Sequence, residues 1–386
     1  MFEMASTPPI RCEAGCLDQV GAFAAQLAPA GRVLLILDPN LGRLGIPERA
    51  RALLEAAGLT VRLFDAAPGE PTIADLRKTV ALAREADLVV GIGGGSALDI
   101  AKISAVCGRS EPGTDPAAFS GAARPLPPVT LPKILVPTTA GAGAESSSTA
   151  IFSGENGRKL WIWGSQTKAE RILLDPALTV SLPPAVTAAC AMDAFVHAFE
   201  AATNRRTHSG AQLYAHEAMR LIAGALPRAV VQPTDLGARG DLLVAACYAG
   251  VAIDNCGTAV AHMVSHALAG LAPVSHGLAT ALAFEMTLPW LVAEPTADMD
   301  AAAQALYLPS ASALPGSVAA LMDRSGMVRR LPEACGAVDP AVLAEALRAP
   351  ENAPMRTATA RLVSDADTER FAQAMIALAA SPETVH

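Results

Sequence analysis

Short aliphatic runs alternate with amphipathic helical segments through the first half of this 386-residue chain. A strand, helix, strand, helix, strand order is typical of βαβ units, in which helices connect the parallel strands of one sheet. The predicted strands lie at residues 33–37, 60–64 and 88–92, and the predicted helices at residues 46–57 and 73–86. We therefore predict a parallel sheet whose first strand is residues 33–37.

The pattern changes twice further along the chain. Residues 108–132 are dense in Gly and Pro, which predicts a long surface excursion before further strands at 134–137, 149–152 and 159–163. Beyond the Pro183-Pro184 break, long Ala-rich segments have helical spacing. We expect two domains, an α/β domain over residues 1–183 and a helical domain over residues 184–386, since the length exceeds one typical domain.

Charge and cysteine content exclude several classes of protein. The formal net charge is -8, and no cluster of Lys and Arg suits nucleic acid or an anionic membrane. Seven scattered cysteines form no disulfide framework, and no signal peptide is recognisable, so a cytoplasmic protein is expected. The longest apolar run, residues 242–253, is shorter than the roughly 20 residues of a membrane span and predicts a buried helix.

A Gly-rich turn follows the third predicted strand. Gly93, Gly94, Gly95 and Ser96 precede a helix, so backbone amides are presented at a helix N-terminus, which is a geometry that binds phosphate. The pattern is neither GxGxxG nor a P-loop, and a tight turn without a ligand is the alternative.

Two more segments extend this hypothesis. Asp38 follows the first predicted strand, where a carboxylate commonly binds a ribose 2′-hydroxyl and disfavours a 2′-phosphate, which favours NAD over NADP. The alternative is that Asp38 caps a turn before Pro39. Thr138 and Thr139 belong to a second loop of small residues after a strand, and their hydroxyls could flank a cofactor ribose.

Histidines and an aspartate cluster in the second half. Asp193 and His197 are four residues apart in a helical segment, which places both side chains on one helix face. His262 and His266 repeat this spacing, and His276 follows in a loop. Burying several imidazoles in an apolar segment is costly unless they share a partner, and a divalent cation can satisfy them together. We predict a metal site here.

The ligand types narrow the choice of metal. One carboxylate with neutral imidazoles suits Fe(II) or Zn(II), and no cysteine stands at comparable spacing to indicate a softer site. His208 and His216 lie in a polar helical segment and are expected to be solvated, and His386 is the last residue. These three histidines receive no chemical role.

Taken together, the motifs resemble the iron-dependent (group III) alcohol dehydrogenase family over nearly the whole chain. The resemblance is carried by Gly69-Glu70-Pro71-Thr72, Gly93 to Ser96 with Asp99 and Lys102, residues 137–145, Lys159, Asp175-Pro176, residues 193–197, and His262, His266 and His276. It implies a Rossmann-like dinucleotide-binding domain followed by an all-helical metal-binding domain.

The resemblance also implies a role for individual residues. The metal ligands would be Asp193, His197, His262 and His276, and His266 would be a catalytic group that positions substrate or relays a proton. Contacts with the cofactor would come from Asp38, Gly94, Gly95, Ser96, Thr138, Thr139 and Lys159.

The expected activity is reversible hydride transfer between NAD(H) and a small alcohol or its aldehyde or ketone, in a homodimer or higher homo-oligomer. Three alternatives stay open. The first is a reductase similar to maleylacetate reductase, for which the full ligand set would be unexpected. The second is an NAD- and metal-dependent lyase related to dehydroquinate synthase, for which more Lys and Arg would be expected near the site. The third is a non-catalytic NAD sensor, which would have lost ligands.

Overall fold

The computed structural model describes residues 2–65, 69–155, 157 and 159–380. The chain divides into an α/β unit, Ala5–Ser181, and a helical unit that begins at Leu182 and also includes residues 2–4. The tail from residue 381, which we expected to be frayed, and His386 lie outside the described residues.

The α/β unit contains eight strands and four α-helices among its described residues. The strands are β1 (Ile10–Cys12), β2 (Arg32–Leu37), β3 (Thr60–Asp65), β4 (Leu88–Gly93), β5 (Lys133–Pro137), β6 (Thr149–Ser153), β7 (Lys159–Trp163) and β8 (Arg171–Leu174). The helices are α1 (Val20–Leu27), α2 (Ile46–Ala56), α3 (Ile73–Ala83) and α4 (Gly95–Cys107).

Six of these strands form one parallel sheet in the order β1-β8-β5-β4-β2-β3. The central strands β4 and β5 are buried along their whole length, as is β2 after its first residue, which explains their unbroken aliphatic sequences. The chain passes from β2 outward to β3 and then returns to β4 on the other side of β2, so the topology switches between β2 and β4. Open α/β sheets bind ligands at such a switch point.

Alternating side chains of the central strands bury one face of the sheet. Val33, Leu35 and Leu37 of β2 share a core with Val90 and Ile92 of β4 and with the apolar faces of α1 and α2. Every second side chain of these strands therefore lies in one layer of the core, as expected from the alternation of side chains along a β-strand. Helix α3 begins where it was predicted, because the Thr72 side chain accepts a hydrogen bond from the Asp75 amide.

One expectation for this unit was wrong, and a second was incomplete. The first strand is β1, which precedes residues 33–37; it has only three residues, two of them exposed, so it carries no aliphatic run. Residues 108–132 are not only a surface excursion. They contain a 3-10 helix, Pro116–Ala122, and bury Phe119 and Leu131 in the unit.

The helical unit contains no strand among its described residues. Its α-helices are α5 (Pro184–Thr203), α6 (Ser209–Val231), α7 (Leu236–Cys256), α8 (Val260–Ala269), α9 (His276–Val292), α10 (Ala297–Ala305), α11 (Leu314–Arg324), α12 (Pro340–Arg348), α13 (Ala353–Ala358) and α14 (Asp365–Ala380). The buried helix predicted at residues 242–253 lies within α7.

Helices α5 and α7 are long and apolar enough to cross a membrane when judged by length and composition alone. Their most apolar stretches are 78% and 67% buried within the protein, and both helices pack against α6 and each other. The apolar side chains of α5 and α7 thus pack in the core of the helical unit. Their length and composition are therefore weak evidence for a membrane span.

Candidate metal centre

Helix α5 provides a carboxylate and an imidazole on one face. It starts with Pro184 at its first turn, where the missing amide hydrogen costs nothing, and continues through mostly Ala and other apolar residues. Asp193 and His197 are one turn apart and are 4% and 5% exposed. His197 Nδ1 lies 4.0 Å from Asp193 Oδ2. The four-residue spacing in the sequence therefore corresponds to two neighbouring polar groups inside the unit.

Helices α8 and α9 bring two more imidazoles to the same carboxylate. His262 lies in the first turn of α8 and is 1% exposed, and His276 is the first residue of α9. The Nε2 atoms of His262 and His276 each lie 3.5 Å from Asp193 Oδ1. The His262 ring stacks on the His197 ring with their centroids 4.3 Å apart. Potential ligand atoms of all four residues lie within 4.8 Å of one another.

The position of His276 depends on a close contact between two helices. A Cβ atom added at Gly277 would lie 2.5 Å from the Ala189 carbonyl oxygen of α5 and 3.4 Å from the Cys190 amide nitrogen. Only glycine allows the first turn of α9 to approach the backbone of α5 this closely. Gly277 therefore sets how near His276 comes to Asp193.

The four residues fit a divalent cation. Asp193 Oδ1 and His262 Nε2 are buried polar atoms that have no hydrogen-bond partner among the described residues. Two ligands that each bind Zn(II) at about 2.1 Å in tetrahedral geometry are about 3.4 Å apart, close to the 3.5 Å separations found here. Aspartate oxygen and histidine nitrogen are ligands that suit Fe(II) or Zn(II).

The electrostatics of this site favour positive charge beside Asp193 and Glu200. Burial disfavours the charged form of Asp193, but His197, His276 and His262 outweigh it and lower the pKa of Asp193 far below its usual range. Burial lowers the pKa of His262, but Glu200 and Asp193 outweigh it and raise that pKa to about 9. Burial, with a smaller contribution from Asp193, raises the pKa of the nearby Cys190 thiol to about 12, so this thiol is protonated at neutral pH.

His266 lies beside the four residues. Its ring centroid is 5.2 Å from that of His276 and 5.9 Å from that of His262, and the side chain is half-buried. His266 lies one turn of α8 after His262, so the predicted four-residue spacing places it next to the metal site. Its catalytic role stays a prediction.

Glu200 is a site residue that was not predicted from the sequence. This carboxylate is 2% exposed, lies 2.7 Å from His262 Nδ1, and accepts hydrogen bonds from two backbone amides at the start of α8. Its spacing would have indicated it, because Asp193, His197 and Glu200 stand at i, i+4 and i+7 on one face of α5.

In the α/β unit, three predicted cofactor segments meet at the carboxyl ends of β2, β4 and β5. The Asp38 amide donates to the Ile92 carbonyl over 3.1 Å, and the Thr138 amide donates to the Gly93 carbonyl over 2.9 Å. These bonds join the end of each outer strand to the end of β4. The structure therefore brings together Asp38, the Gly-rich turn and the Thr138-Thr139 loop, which the sequence placed about 100 residues apart.

The glycines of this turn differ in what they require. Gly93 has φ +156°, and an added Cβ would lie 2.7 Å from Ala97 Cβ and 2.8 Å from Asp38 Cβ, so the fold needs glycine there. Gly94 is the extended residue directly before α4, and the nearest group to an added Cβ there would be Thr139 Oγ1, at 3.5 Å. The packing of the described residues would therefore tolerate a Cβ at Gly94 but not at Gly93.

The two readings of Asp38 are compatible. Its Oδ1 atom accepts hydrogen bonds from the backbone and side-chain nitrogens of Asn40, both at 2.9 Å, and so caps the 3-10 helix Pro39–Leu44. Its Oδ2 atom points toward Gly94, 4.0 Å from the position of an added Cβ. One oxygen serves the turn, and the other faces the predicted cofactor segment.

Asp99 and Lys102 tie the helix after the Gly-rich turn to the second loop. Lys102 is fully buried, and its Nζ donates to the carbonyl oxygens of Ala144, at 2.8 Å, and of Thr149. Asp99 accepts a hydrogen bond from the Ile151 amide at 3.0 Å. Helix α4, the 137–145 loop and β6 are therefore held together by a buried charged pair.

The other predicted contacts lie in different surroundings. Ser96 is half-buried in the first turn of α4. Lys159 begins β7, and its ammonium forms a 2.7 Å ion pair with Glu70. The Gly-rich turn, Ser96 and Lys159 stay predictions as cofactor contacts.

Two histidines are less exposed than expected. His208 is half-buried, stacks on Phe2 with ring centroids 4.3 Å apart, and accepts a hydrogen bond from the Ala211 amide at the start of α6. His216 is also half-buried, and burial lowers its pKa. The prediction that both are solvated was wrong, because the apolar packing of α6 continues past its polar residues.

A parallel α/β unit with a Gly-rich turn, followed by a helical unit that gathers one aspartate and three histidines, defines a metal-dependent dehydrogenase. A family model described as iron-containing alcohol dehydrogenase matches residues 7–176. A second, described as Fe-containing alcohol dehydrogenase family, C-terminal, matches residues 187–356. The chain belongs to the iron-containing alcohol dehydrogenase family, which confirms the predicted family, fold class and type of enzyme.

Named relatives show the range of this family. The chain is 35% identical over 270 residues to long-chain-alcohol dehydrogenase 1 of Geobacillus thermodenitrificans, covering 69% of this chain and 68% of that one. It is 31% identical over 308 residues to 4-hydroxybutyrate dehydrogenase of Cupriavidus necator, covering 77% and 80%.

Solved structures share the fold. A 1,3-propanediol oxidoreductase superposes with a TM-score of 0.86 at 25% identity, covering 97% of this chain and all of that one. The sulfoacetaldehyde reductase of Bifidobacterium kashiwanohense, solved in complex with NAD+, has a TM-score of 0.86 at 23% identity, covering 97% and 99%. At 23% identity, the second structure supports the shared fold and nothing more.

Proposed function

We propose that this protein is an NAD(H)- and divalent-metal-dependent oxidoreductase that interconverts a small alcohol and its aldehyde or ketone by hydride transfer. The observation that carries the proposal is the gathering of Asp193, His197, His262 and His276 around one buried point. Membership of the iron-containing alcohol dehydrogenase family supports the same activity. The complete ligand set argues against the alternative of a non-catalytic NAD sensor, which would have lost ligands.

Asp193, His197, His262 and His276 would hold Fe(II) or Zn(II). The bound cation would supply a Lewis acid that polarises the oxygen of the alcohol or carbonyl, and the nicotinamide would supply the hydride acceptor or donor. Asp193 contributes the only negative charge among the four ligands, and its lowered pKa keeps it ionised at neutral pH. The apolar packing of α5 limits the access of water to the ligands.

The cofactor would be bound by residues of the α/β unit. The amides of Gly94, Gly95 and Ser96 at the start of α4 suit the pyrophosphate, and Thr138 and Thr139 adjoin this turn. Asp38 Oδ2 suits a ribose 2′-hydroxyl and would repel a 2′-phosphate, so we propose NAD over NADP. Lys159 would add a positive charge for the cofactor.

His266 would handle the proton of the alcohol hydroxyl or position the substrate. It is half-buried, whereas His262 is fully buried, so it is the more accessible of the two α8 imidazoles. Histidine exchanges protons near neutral pH, which suits a relay between substrate and solvent.

The substrate is proposed only as a class. Relatives are named for long-chain alcohols, methanol, 4-hydroxybutyrate and sulfoacetaldehyde, which share a primary alcohol or aldehyde group and differ in the rest of the molecule. We propose that this shared group is what the metal site recognises in this chain as well.

A substrate screen on metal-defined protein tests the proposal. Metal is removed with a chelator, Fe(II) or Zn(II) is restored without oxygen, and NADH oxidation is followed with short, long-chain, carboxylate-bearing and sulfonate-bearing aldehydes. Turnover that depends on added metal and prefers NADH to NADPH is expected. The absence of hydride transfer with every aldehyde and alcohol in metal-replete protein would refute it.

The proposal extends to assembly and location. We propose a homodimer or higher homo-oligomer in the cytoplasm, with a small-molecule substrate and no nucleic-acid or membrane partner. Light scattering of the purified protein, with a mass of one chain as the contrary result, tests the oligomer.

A further inference from the structure

We propose that Glu200 is a positioning residue for the metal ligand His262, and that it holds both the imidazole ring and the start of the helix that carries it. The inference deepens the proposed function and rests on it in one respect: Asp193, His197, His262 and His276 must bind a divalent cation. It does not depend on the cofactor or the substrate.

All three short contacts of the Glu200 carboxylate are made with one segment. Oε2 lies 2.7 Å from His262 Nδ1 and accepts a hydrogen bond from the Ala259 amide at 2.6 Å. Oε1 accepts a hydrogen bond from the Ala261 amide at 2.7 Å. Glu200 is 2% exposed and His262 is 1% exposed, so these contacts are shielded from water.

The contacts determine which ring nitrogen of His262 can bind a metal. Both amides can only donate, so both oxygens of the Glu200 carboxylate act as acceptors, and a hydrogen on His262 Nδ1 satisfies the third short contact in the same way. A hydrogen on Nδ1 leaves the lone pair of the neutral ring on Nε2. Nε2 is the atom that lies 3.5 Å from Asp193 Oδ1. Glu200 thus selects the tautomer of His262 in which the unprotonated Nε2 atom faces the other metal ligands.

The Glu200 carboxylate also takes the place of an N-cap side chain at the start of α8. Helix α8 begins at Val260, and the residue before it is Ala259, whose side chain cannot accept a hydrogen bond. The amides at a helix start need acceptors, and a negative charge there is favourable. Glu200 provides both from a different helix. Because His262 lies in this first turn, the cap also fixes the backbone from which the ligand projects.

Glu200 couples two ligand-bearing helices. On α5, Asp193 lies two turns before Glu200 and His197 lies one turn before it. The helix that supplies two ligands therefore also supplies the group that orients the third. This arrangement sets the distance between α5 and the start of α8 with hydrogen bonds rather than apolar packing alone.

The test compares Glu200→Gln with Glu285→Gln, using Co(II) alone as the probe in metal-free protein. Glutamine has the same shape, but its amide group would place hydrogens against one of the two backbone amides. We expect Co(II) binding, followed by its visible absorption, to weaken about 10- to 100-fold in Glu200→Gln. Glu285 is half-buried in α9 and pairs with Arg329, so its variant should bind Co(II) like the wild type.

A second readout follows the ring itself. In Zn(II)-loaded protein with ¹⁵N-labelled histidine, His262 should give an Nδ1–H signal that exchanges slowly with water and carries metal on Nε2. This signal should be lost or should exchange quickly in Glu200→Gln. A purely structural role would lower the melting temperature without changing this signal or the dissociation constant of the folded fraction.

Glu200→Asp keeps the inference testable if the Gln variant fails to fold. It retains the charge but is one methylene shorter, so it cannot reach both amides and the ring, and an intermediate loss of Co(II) affinity is expected. Wild-type affinity in a folded Glu200 variant, or an equal loss in Glu285→Gln, would overturn the inference. Failure of the proposed function appears differently, as wild-type protein that binds Co(II) normally but oxidises no alcohol.

Discussion

His262 Nε2 lies 3.5 Å from Asp193 Oδ1, although the two residues belong to different helices and are far apart in the chain. Both atoms are buried, and neither has a hydrogen-bond partner among the described residues. Such a pair is costly unless a third group satisfies it. A shared cation is the simplest such group, and the position of His276 Nε2 at the same distance from the same oxygen strengthens this interpretation.

Asp193→Asn should remove most of the bound metal. The amide is neutral, and it presents hydrogens where the carboxylate presents lone pairs, so a bound cation would lose its only anionic ligand. We expect metal content, measured by elemental analysis after dialysis, to fall at least tenfold while NADH binding is retained. Asp298→Asn, which alters a carboxylate bonded to Gln212 in the same unit, is the control. Full metal content in Asp193→Asn would contradict the assignment.

Gly277→Ala should displace His276. The new Cβ would lie 2.5 Å from the Ala189 carbonyl oxygen, and because both atoms belong to packed helices, the contact can be relieved only by moving α9 away from α5. A loss of about 1–3 kcal/mol in unfolding free energy is expected, together with weaker Co(II) binding.

Gly316→Ala is the matched control for this variant. Gly316 lies in α11, and no atom lies within 4 Å of its added Cβ, so alanine should leave stability unchanged or raise it by up to about 1 kcal/mol. Equal effects of the two substitutions would show that helix propensity, and not the close approach to α5, explains Gly277.

Gly93→Ala and Gly94→Val should separate folding from cofactor binding. Alanine at 93 would adopt φ +156° and collide with Ala97 and Asp38, so the melting temperature should fall. The Cβ of valine at 94 would lie at ordinary contact distances from Thr139 and Asp38, so the fold should survive while NADH binding weakens, measured by fluorescence titration. Wild-type NADH affinity in Gly94→Val would exclude this turn as the phosphate site.

Glu145→Gln should stabilise the protein above neutral pH. Burial raises the pKa of Glu145 from 4.5 to about 7, so the folded state holds a proton that the unfolded state releases. The stability from this group is complete below pH 4.5 and is lost as the pH rises through about 7. Removing the charge should recover up to about 3 kcal/mol above that pH.

The measurement is the difference in melting temperature between Glu145→Gln and wild type at pH 6 and pH 8, which should be larger at pH 8. Glu217→Gln is the control, because Arg220 lowers the pKa of this exposed carboxyl and its effect should not change over that range. A difference that stays constant with pH would contradict a buried, titrating Glu145.

Local patterns were sufficient for most of the elements in the α/β unit. Strands β2 to β7 and helices α2 and α3 were predicted from aliphatic runs and helical spacing, with ends that differ by at most three residues. Strand β1 was missed because three residues with two exposed side chains carry no hydrophobic period. Its pairing with β8 is a long-range contact that no local pattern reports.

The candidate metal site was also predicted only in part from local spacing, and the rest depends on how the helices pack. Asp193 and His197 could be paired from their spacing because an α-helix places residues four apart on one face. That His262 and His276 meet the same carboxylate is decided by helix packing, including the contact that Gly277 permits. Glu200 lies on the same helix face as Asp193, but its partners on α8 could not be inferred from α5 alone.

The sequence by itself determined the chemical types present: a Gly-rich turn after a strand, an Asp/His pair at helical spacing and a cluster of imidazoles. These follow from the geometry of single helices and strands, which depends on neighbours along the chain. Only the tertiary structure decided that Asp38 Oδ1 caps a turn while Oδ2 faces Gly94, and that Glu200 lies against Nδ1 of His262 while Nε2 of that ring lies near Asp193. Those outcomes depend on distances between segments remote in sequence, and packing sets those distances.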